Sequence, residues 1–176
     1  MKLFKLLKTL CVVTTFLGVL AEDSPKLKEA KAASYRYSTI RNVRWTNQCL
    51  DLPTQGNGAS GTLVQTFDCN GWSNQRWIVP RGSGTIRNVR WPGQCLDLPT
   101  QGNGASGTLV QTFACNGLSN QRWIVSRDSR TIRNGRWTGQ YLDLPTQGNG
   151  ASGTRVQTFD NNGWPNQRWT IVDVYY

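Results

Sequence analysis

From Ser38 onward the chain repeats itself every 46 residues. Self-similarity of fixed period means that one supersecondary unit is copied and that the copies must bury one another's apolar faces. Ile40-Arg41-Asn42-Val43-Arg44-Trp45 returns as Ile86-Arg87-Asn88-Val89-Arg90-Trp91 and as Ile132-Arg133-Asn134-Gly135-Arg136-Trp137. The stretch LDLPTQGNGASGT starts at Leu50, Leu96 and Leu142, and Gln-Arg-Trp ends each unit at Trp77, Trp123 and Trp169. The units therefore run over residues 38–83, 84–129 and 130–176.

Within a unit, four runs rich in β-branched and aromatic residues are separated by Gly, Asn, Ser and Pro: 40–45, 48–52, 63–69 and 75–79. No helical period is sustained anywhere after residue 38. Three units of four short strands predict an all-β fold closed on a pseudo-three-fold axis. A solenoid is disfavoured because no unit has a polar capping face, and an open sheet would leave edges to protect. Gly56, Gly58 and Gly61 lie in a stretch that neither a Lys nor a helix follows. It is read as a flexible hairpin loop, not as a phosphate cradle.

Strand parity locates a candidate site. Period-two alternation puts Cys49 and Asp51 on one face of their strand and Leu50 and Leu52 on the other. Gln65, Phe67 and Cys69 likewise share a face. If Cys49 pairs with Cys69 directly across an antiparallel hairpin, Asp51 comes to lie opposite Phe67, a carboxylate beside a ring and away from the core leucines. The third unit has Tyr141 and Asn161 at the two cysteine positions. Both cysteines are missing together, as expected for a bond made within a unit, so Cys49–Cys69 and Cys95–Cys115 are the predicted disulfides.

The segment before the repeats reads as export machinery and a connector. Lys2, Lys5 and Lys8 precede an apolar run over 10–20, and Val19-Leu20-Ala21 offers small residues for cleavage. The run is shorter than the roughly 20 residues of a membrane span. Residues 1–21 are thus expected to be a signal peptide, leaving no transmembrane segment, and 22–37 a linker or pro-segment. Without residues 1–21 the chain keeps 17 basic and ten acidic residues, a charge of +7. Four remaining cysteines suit an oxidising, extracellular compartment. No Asn-x-Ser/Thr sequon occurs.

These motifs resemble the ricin-B-type β-trefoil lectins and the similar carbohydrate-binding modules of bacterial xylanases. The likeness rests on three Gln-x-Trp signatures at constant spacing, each preceded by Ile-Arg-Asn and Leu-Asp motifs, over residues 38 to about 174. It implies a β-trefoil over 38–176 that binds carbohydrate, with sugar-accepting carboxylates at Asp51, Asp97 and Asp143. It implies stacking rings at Phe67, Phe113 and Phe159, and polar contacts at Asn74, Asn120 and Asn166. Gln75, Gln121 and Gln167 would orient the aspartates or touch the sugar, and Trp77, Trp123 and Trp169 would pack in the core. The chemistry is consistent, since a carboxylate accepts from vicinal hydroxyls and a ring face covers a sugar's C–H patch.

The composition restricts the alternatives. There is no histidine, and no glutamate lies beyond Glu29, which excludes His-based triads and His metal sites. A glycoside hydrolase needs two carboxylates about one bond, whereas each unit supplies one matched aspartate, so no catalytic residue, cofactor or metal is expected. Asp68 and Asp160 are additional carboxylates, but the second unit has Ala114 there, and Leu118 where the first has Trp72. From residue 38 on, 13 arginines oppose seven aspartates, a charge of +6. Arg41, Arg44 and Arg76 recur in every unit, which admits an anionic surface or sulfated glycan as an alternative ligand. A β-trefoil protease inhibitor is the other alternative. The expected protein is a secreted monomeric lectin for galactose-type or xylan-type glycans, without a nucleic-acid partner.

Overall fold

The computed structural model describes residues 36–174; the predicted signal peptide and most of the connector lie outside the described residues. The first unit holds β1 (Tyr37–Asn42), β2 (Gln48–Asp51), β3 (Thr62–Leu63), β4 (Gln65–Asp68) and β5 (Trp77–Ile78). The second holds β6 (Ser83–Thr85), β7 (Arg87–Asn88), β8 (Gln94–Asp97), β9 (Gln111–Ala114) and β10 (Arg122–Ser126). The third holds β11 (Thr131–Asn134), β12 (Gln140–Asp143), β13 (Gln157–Asp160) and β14 (Trp169–Val174). The fold is the predicted all-β trefoil.

Its closure is visible in the pairings. Strands of successive units pair antiparallel, β5 with β7 and β10 with β11. β14 completes the circle by pairing with β1 from Tyr37↔Val174 to Asn42↔Trp169. The folded region thus begins before residue 38, because Tyr37 is already in register and Arg36 is ion-paired to Asp173. On the axis three backbone bonds run head to tail: Val64 N donates to Val110 O (2.9 Å), Val110 N to Val156 O (2.9 Å) and Val156 N to Val64 O (3.0 Å). Around them Ile40, Leu50, Leu52 and Trp77, with their counterparts in the other units, are buried. Each core tryptophan also satisfies its indole N–H on a strand carbonyl, as Trp77 Nε1 does on Leu50 O at 2.9 Å.

Two expectations about strand extent are corrected. The first strand stops at Asn42, not at Trp45, because Asn42 Oδ1 accepts from the backbone N–H groups of Arg44 and Trp45 and turns the chain. Residues Ser73–Gln75 form a 3-10 turn before β5, and Thr54–Gly56 form another.

The glycine-rich loop has a defined shape. Asn57 is left-handed and Gly58 follows at φ +71°, where an added Cβ would fall 2.3 Å from the ring of Trp91 in the next unit. Gly104 meets Trp137 and Gly150 meets Trp45 in the same way, so each loop clasps the following unit around the ring. The guanidiniums of Arg44, Arg90 and Arg136 cover those same tryptophans, at 4.8–4.9 Å from the ring centroids. The recurring Arg44 positions are therefore partly engaged in packing.

Candidate functional site

The disulfides Cys49–Cys69 and Cys95–Cys115 form as predicted, each with Cα atoms 5.1 Å apart. The hairpin register does not follow the prediction. Cys49 faces Phe67 and Asp51 faces Gln65, two residues away from the expected alignment. Cys69 lies beyond the end of β4, its N–H bonded to Asn47 O, so the disulfide crosses the hairpin diagonally. The ladder stops at Asp51↔Gln65 because Leu52 N donates to Asn74 O and Val64 N to Val110 O. A slip of two preserves parity, so Asp51 and Phe67 still share a face.

On that face is a hollow of about 240 Å³, floored by Asp51 and walled by Gln65, Phe67, Trp72, Asn74 and the Pro53–Gln55 turn. Asp51 is 3% exposed and Phe67 41%. Oδ1 of Asp51 accepts from Gln65 Nε2 at 2.9 Å, and Oδ2 accepts from Asn74 Nδ2 at 2.7 Å and Gln75 Nε2 at 3.1 Å. Three amide donors thus aim one carboxylate, which has about four acceptor positions in all and lines the hollow. Asn74 Nδ2 also donates to Leu52 O, so its donors are spent inside the protein. Gln75 is fully buried, donates to Asp68 O and accepts from Asn70 N. It stands behind the aspartate as a positioning residue.

The arrangement recurs. Asp97 accepts from Gln111, Asn120 and Gln121, in a hollow of about 150 Å³ that Phe113 also lines. Asp143 accepts from Gln157 (2.9 Å) and Asn166 (2.8 Å), in one of about 280 Å³ lined by Phe159. Residues 36–169 match the family model described as the ricin-type beta-trefoil lectin domain. The chain belongs to that family. Among curated proteins none matches it. Solved structures that it resembles include a mosquitocidal holotoxin (22% identity, TM-score 0.70, covering 80% of this chain and 17% of the toxin). The designed three-fold symmetric protein ThreeFoil is another (22%, 0.68, 78% of this chain and 99% of that one). A third is the C-terminal half of an earthworm R-type lectin in complex with GalNAc (23%, 0.63, 79% and 99%). The chain thus spans a sixth of the toxin's length but all of a free-standing trefoil.

Within this lectin domain, burial pushes the Asp51 and Asp143 carboxyls above the ordinary aspartate range, and the surrounding amide donors pull them part of the way back. Sequence reasoning missed Gln65, Gln111 and Gln157, although each sits at a fixed two-residue offset from its phenylalanine. It also left Trp72 and Trp164 unassigned. Asp68 and Asp160 do not line the hollows; each accepts from a glutamine at the start of its own hairpin, Gln48 (2.7 Å) and Gln140 (2.8 Å). The units also differ at one rim. Arg155 Nη1 donates to Leu63 O (3.0 Å) and to Gln65 Oε1 (3.3 Å), while Leu63 and Leu109 hold the equivalent places in the other two units. A further hollow, about 570 Å³, lies elsewhere, where Arg36 and Arg127 meet Asp173. These arginines and Ser38 hold the Asp173 carboxyl below its ordinary value despite the opposing effect of burial.

Proposed function

We propose that the protein is a secreted, multivalent carbohydrate-binding protein with one shallow site per unit. The observation that carries this is the carboxylate held by amide donors beneath an exposed ring, built three times. Such a carboxylate accepts charge-assisted hydrogen bonds from vicinal hydroxyls while the ring covers the sugar's C–H face. In this reading Asp51, Asp97 and Asp143 accept the hydroxyls, Phe67, Phe113 and Phe159 stack, and Asn74, Asn120 and Asn166 line the site while aiming the acid. Gln75, Gln121 and Gln167 act from behind.

Galactose-type sugars are the favoured class, supported by the earthworm lectin's complex with GalNAc, with xylan-type chains second. Binding without catalysis is favoured because one carboxylate, not two, lines each hollow. Export follows the basic and apolar start of the chain and the two disulfides. A site of about 1 mM affinity corresponds to roughly 4 kcal/mol, so three sites on one rigid body would act through avidity on glycan-coated surfaces.

A glycan array probed with the wild type and with Asp51→Ala, Asp97→Ala and Asp143→Ala tests the reading. Retention by galactosyl or xylosyl glycans that weakens with each substitution supports it. Unchanged retention by a triple variant that keeps its near-ultraviolet circular dichroism refutes it. A second reading, an acidic glycan at the first site, has in its favour Arg155, which donates to the Gln65 that walls that hollow, and predicts binding that falls steeply with salt.

A further inference from the structure

We propose that Trp72 and Trp164 are sugar-facing rings in their own right. The first and third hollows are then two-ring sites, and the second, with Leu118, is a one-ring site. This rests on the carbohydrate reading above and divides its three sites into two kinds.

The two tryptophans are 62% and 56% exposed, against 1% or less for the three core tryptophans. Large aromatic side chains left in water beside a concave polar site mark a binding surface. Folding does not require them there. Trp72 and Leu118 have the same backbone angles (φ −69°, ψ 156°), and Trp164 differs by only a few degrees (φ −76°, ψ 154°). In all three units the backbone N–H at this position donates at 2.9 Å to the asparagine two residues earlier: Asn70, Asn116 or Asn162. Its carbonyl accepts from the backbone N–H of Gln75, Gln121 or Gln167 at 2.9–3.1 Å. The turn is therefore complete without the side chain, and the second unit shows what it becomes with leucine.

The site does change. Trp72 shares its hollow with Phe67, and Trp164 shares its hollow with Phe159, at about 240 and 280 Å³. The hollow shared by Leu118 and Phe113 is about 150 Å³. A rigid indole raises a second wall, adds a π face for C–H contacts, and brings an N–H able to donate to a hydroxyl. Leucine offers none of the last two. The protein is then effectively bivalent toward weakly held glycans, with its second site the weakest.

The experiment is a titration of the 15N-labelled full domain with lactose and, separately, xylotriose. The indole N–H and side-chain amide resonances are followed in the wild type and in Trp72→Leu, Trp164→Leu and Leu118→Trp. The Trp72 and Trp164 indole signals should shift along one isotherm with the amide signals of their own hollows. Each Trp→Leu change should weaken its own hollow by about fivefold to tenfold, and Leu118→Trp should strengthen the second by a similar factor. If the Trp→Leu variants bind as the wild type does, while Asp51→Ala still silences the first hollow, the proposal falls and the carbohydrate reading stands. If neither sugar moves any resonance of the wild type, both fall.

Discussion

Replacing Asp51 by asparagine tests how the candidate site is held together, because Asp143→Asn provides a matched control inside the same molecule. An asparagine keeps the shape of the acid but turns one of its acceptors into a donor. Its oxygen must remain toward Asn74 and Gln75, which supply two donors at 2.7 and 3.1 Å. The new NH2 then meets the Nε2 of Gln65, which donates to the aspartate at 2.9 Å in the wild type. Gln65 could relieve the conflict by turning its amide over. It is opposed, because its Oε1 accepts from Arg155 and the turned amide would point its nitrogen at the guanidinium. In the third unit Gln157 faces Leu109 instead and turns without that penalty. Burial raises both carboxyls, so the relief from neutralising a desolvated charge acts in the same direction in both variants. What remains is one unrelieved donor pair at a half-buried position, about 1–2 kcal/mol, the lower part of the range for an unsatisfied buried group. Guanidinium unfolding followed by tryptophan fluorescence should therefore find Asp51→Asn less stable than Asp143→Asn by about that amount, with equal m values. Adding Arg155→Leu should remove the difference. Two single variants within about 0.5 kcal/mol of each other, or a difference that survives Arg155→Leu, would refute the proposed bracing of Gln65.

Acidification should weaken sugar binding before an ordinary aspartate would protonate, because the raised carboxyls of Asp51 and Asp143 lose their charge above 3.8. Stability runs the opposite way: the native state holds more protons at these sites, so their contribution is most favourable below the unfolded value and declines as pH rises through the raised one. Lactose titrations and denaturant midpoints across that window check both signs. Breaking Cys95–Cys115, which closes a 20-residue separation, should cost about 3 kcal/mol. Tyr141→Cys with Asn161→Cys should gain up to a similar amount, since the third hairpin has the register of the first; thermal unfolding with and without reductant measures each. Gly104→Ala puts a Cβ 2.3 Å from the Trp137 ring at φ +72°, whereas Gly117→Ala at φ +76° meets nothing within 4 Å. The first should cost about 3 kcal/mol and the second about 1, read as a difference in denaturant midpoint.

Much of this protein is legible in its sequence because the decisive signals are local and repeated. The 46-residue period dictates three like units, and alternation along each strand puts Asp51 and Phe67 on one face and Leu50 and Leu52 on the other. The joint absence of both cysteines from the third unit identifies the disulfide pairs. Register is another matter, since a slip of two leaves parity intact and the sequence alone does not distinguish the two alignments. The backbone bonds that end the ladder, from Leu52 to Asn74 and from Val64 to Val110, come from a loop return and from a neighbouring unit. The same holds for Gln65, recruited to Asp51 by that register, and for Arg155, which reaches Gln65 from another unit altogether. Periodicity decides which way a side chain faces, and packing between units decides what it meets.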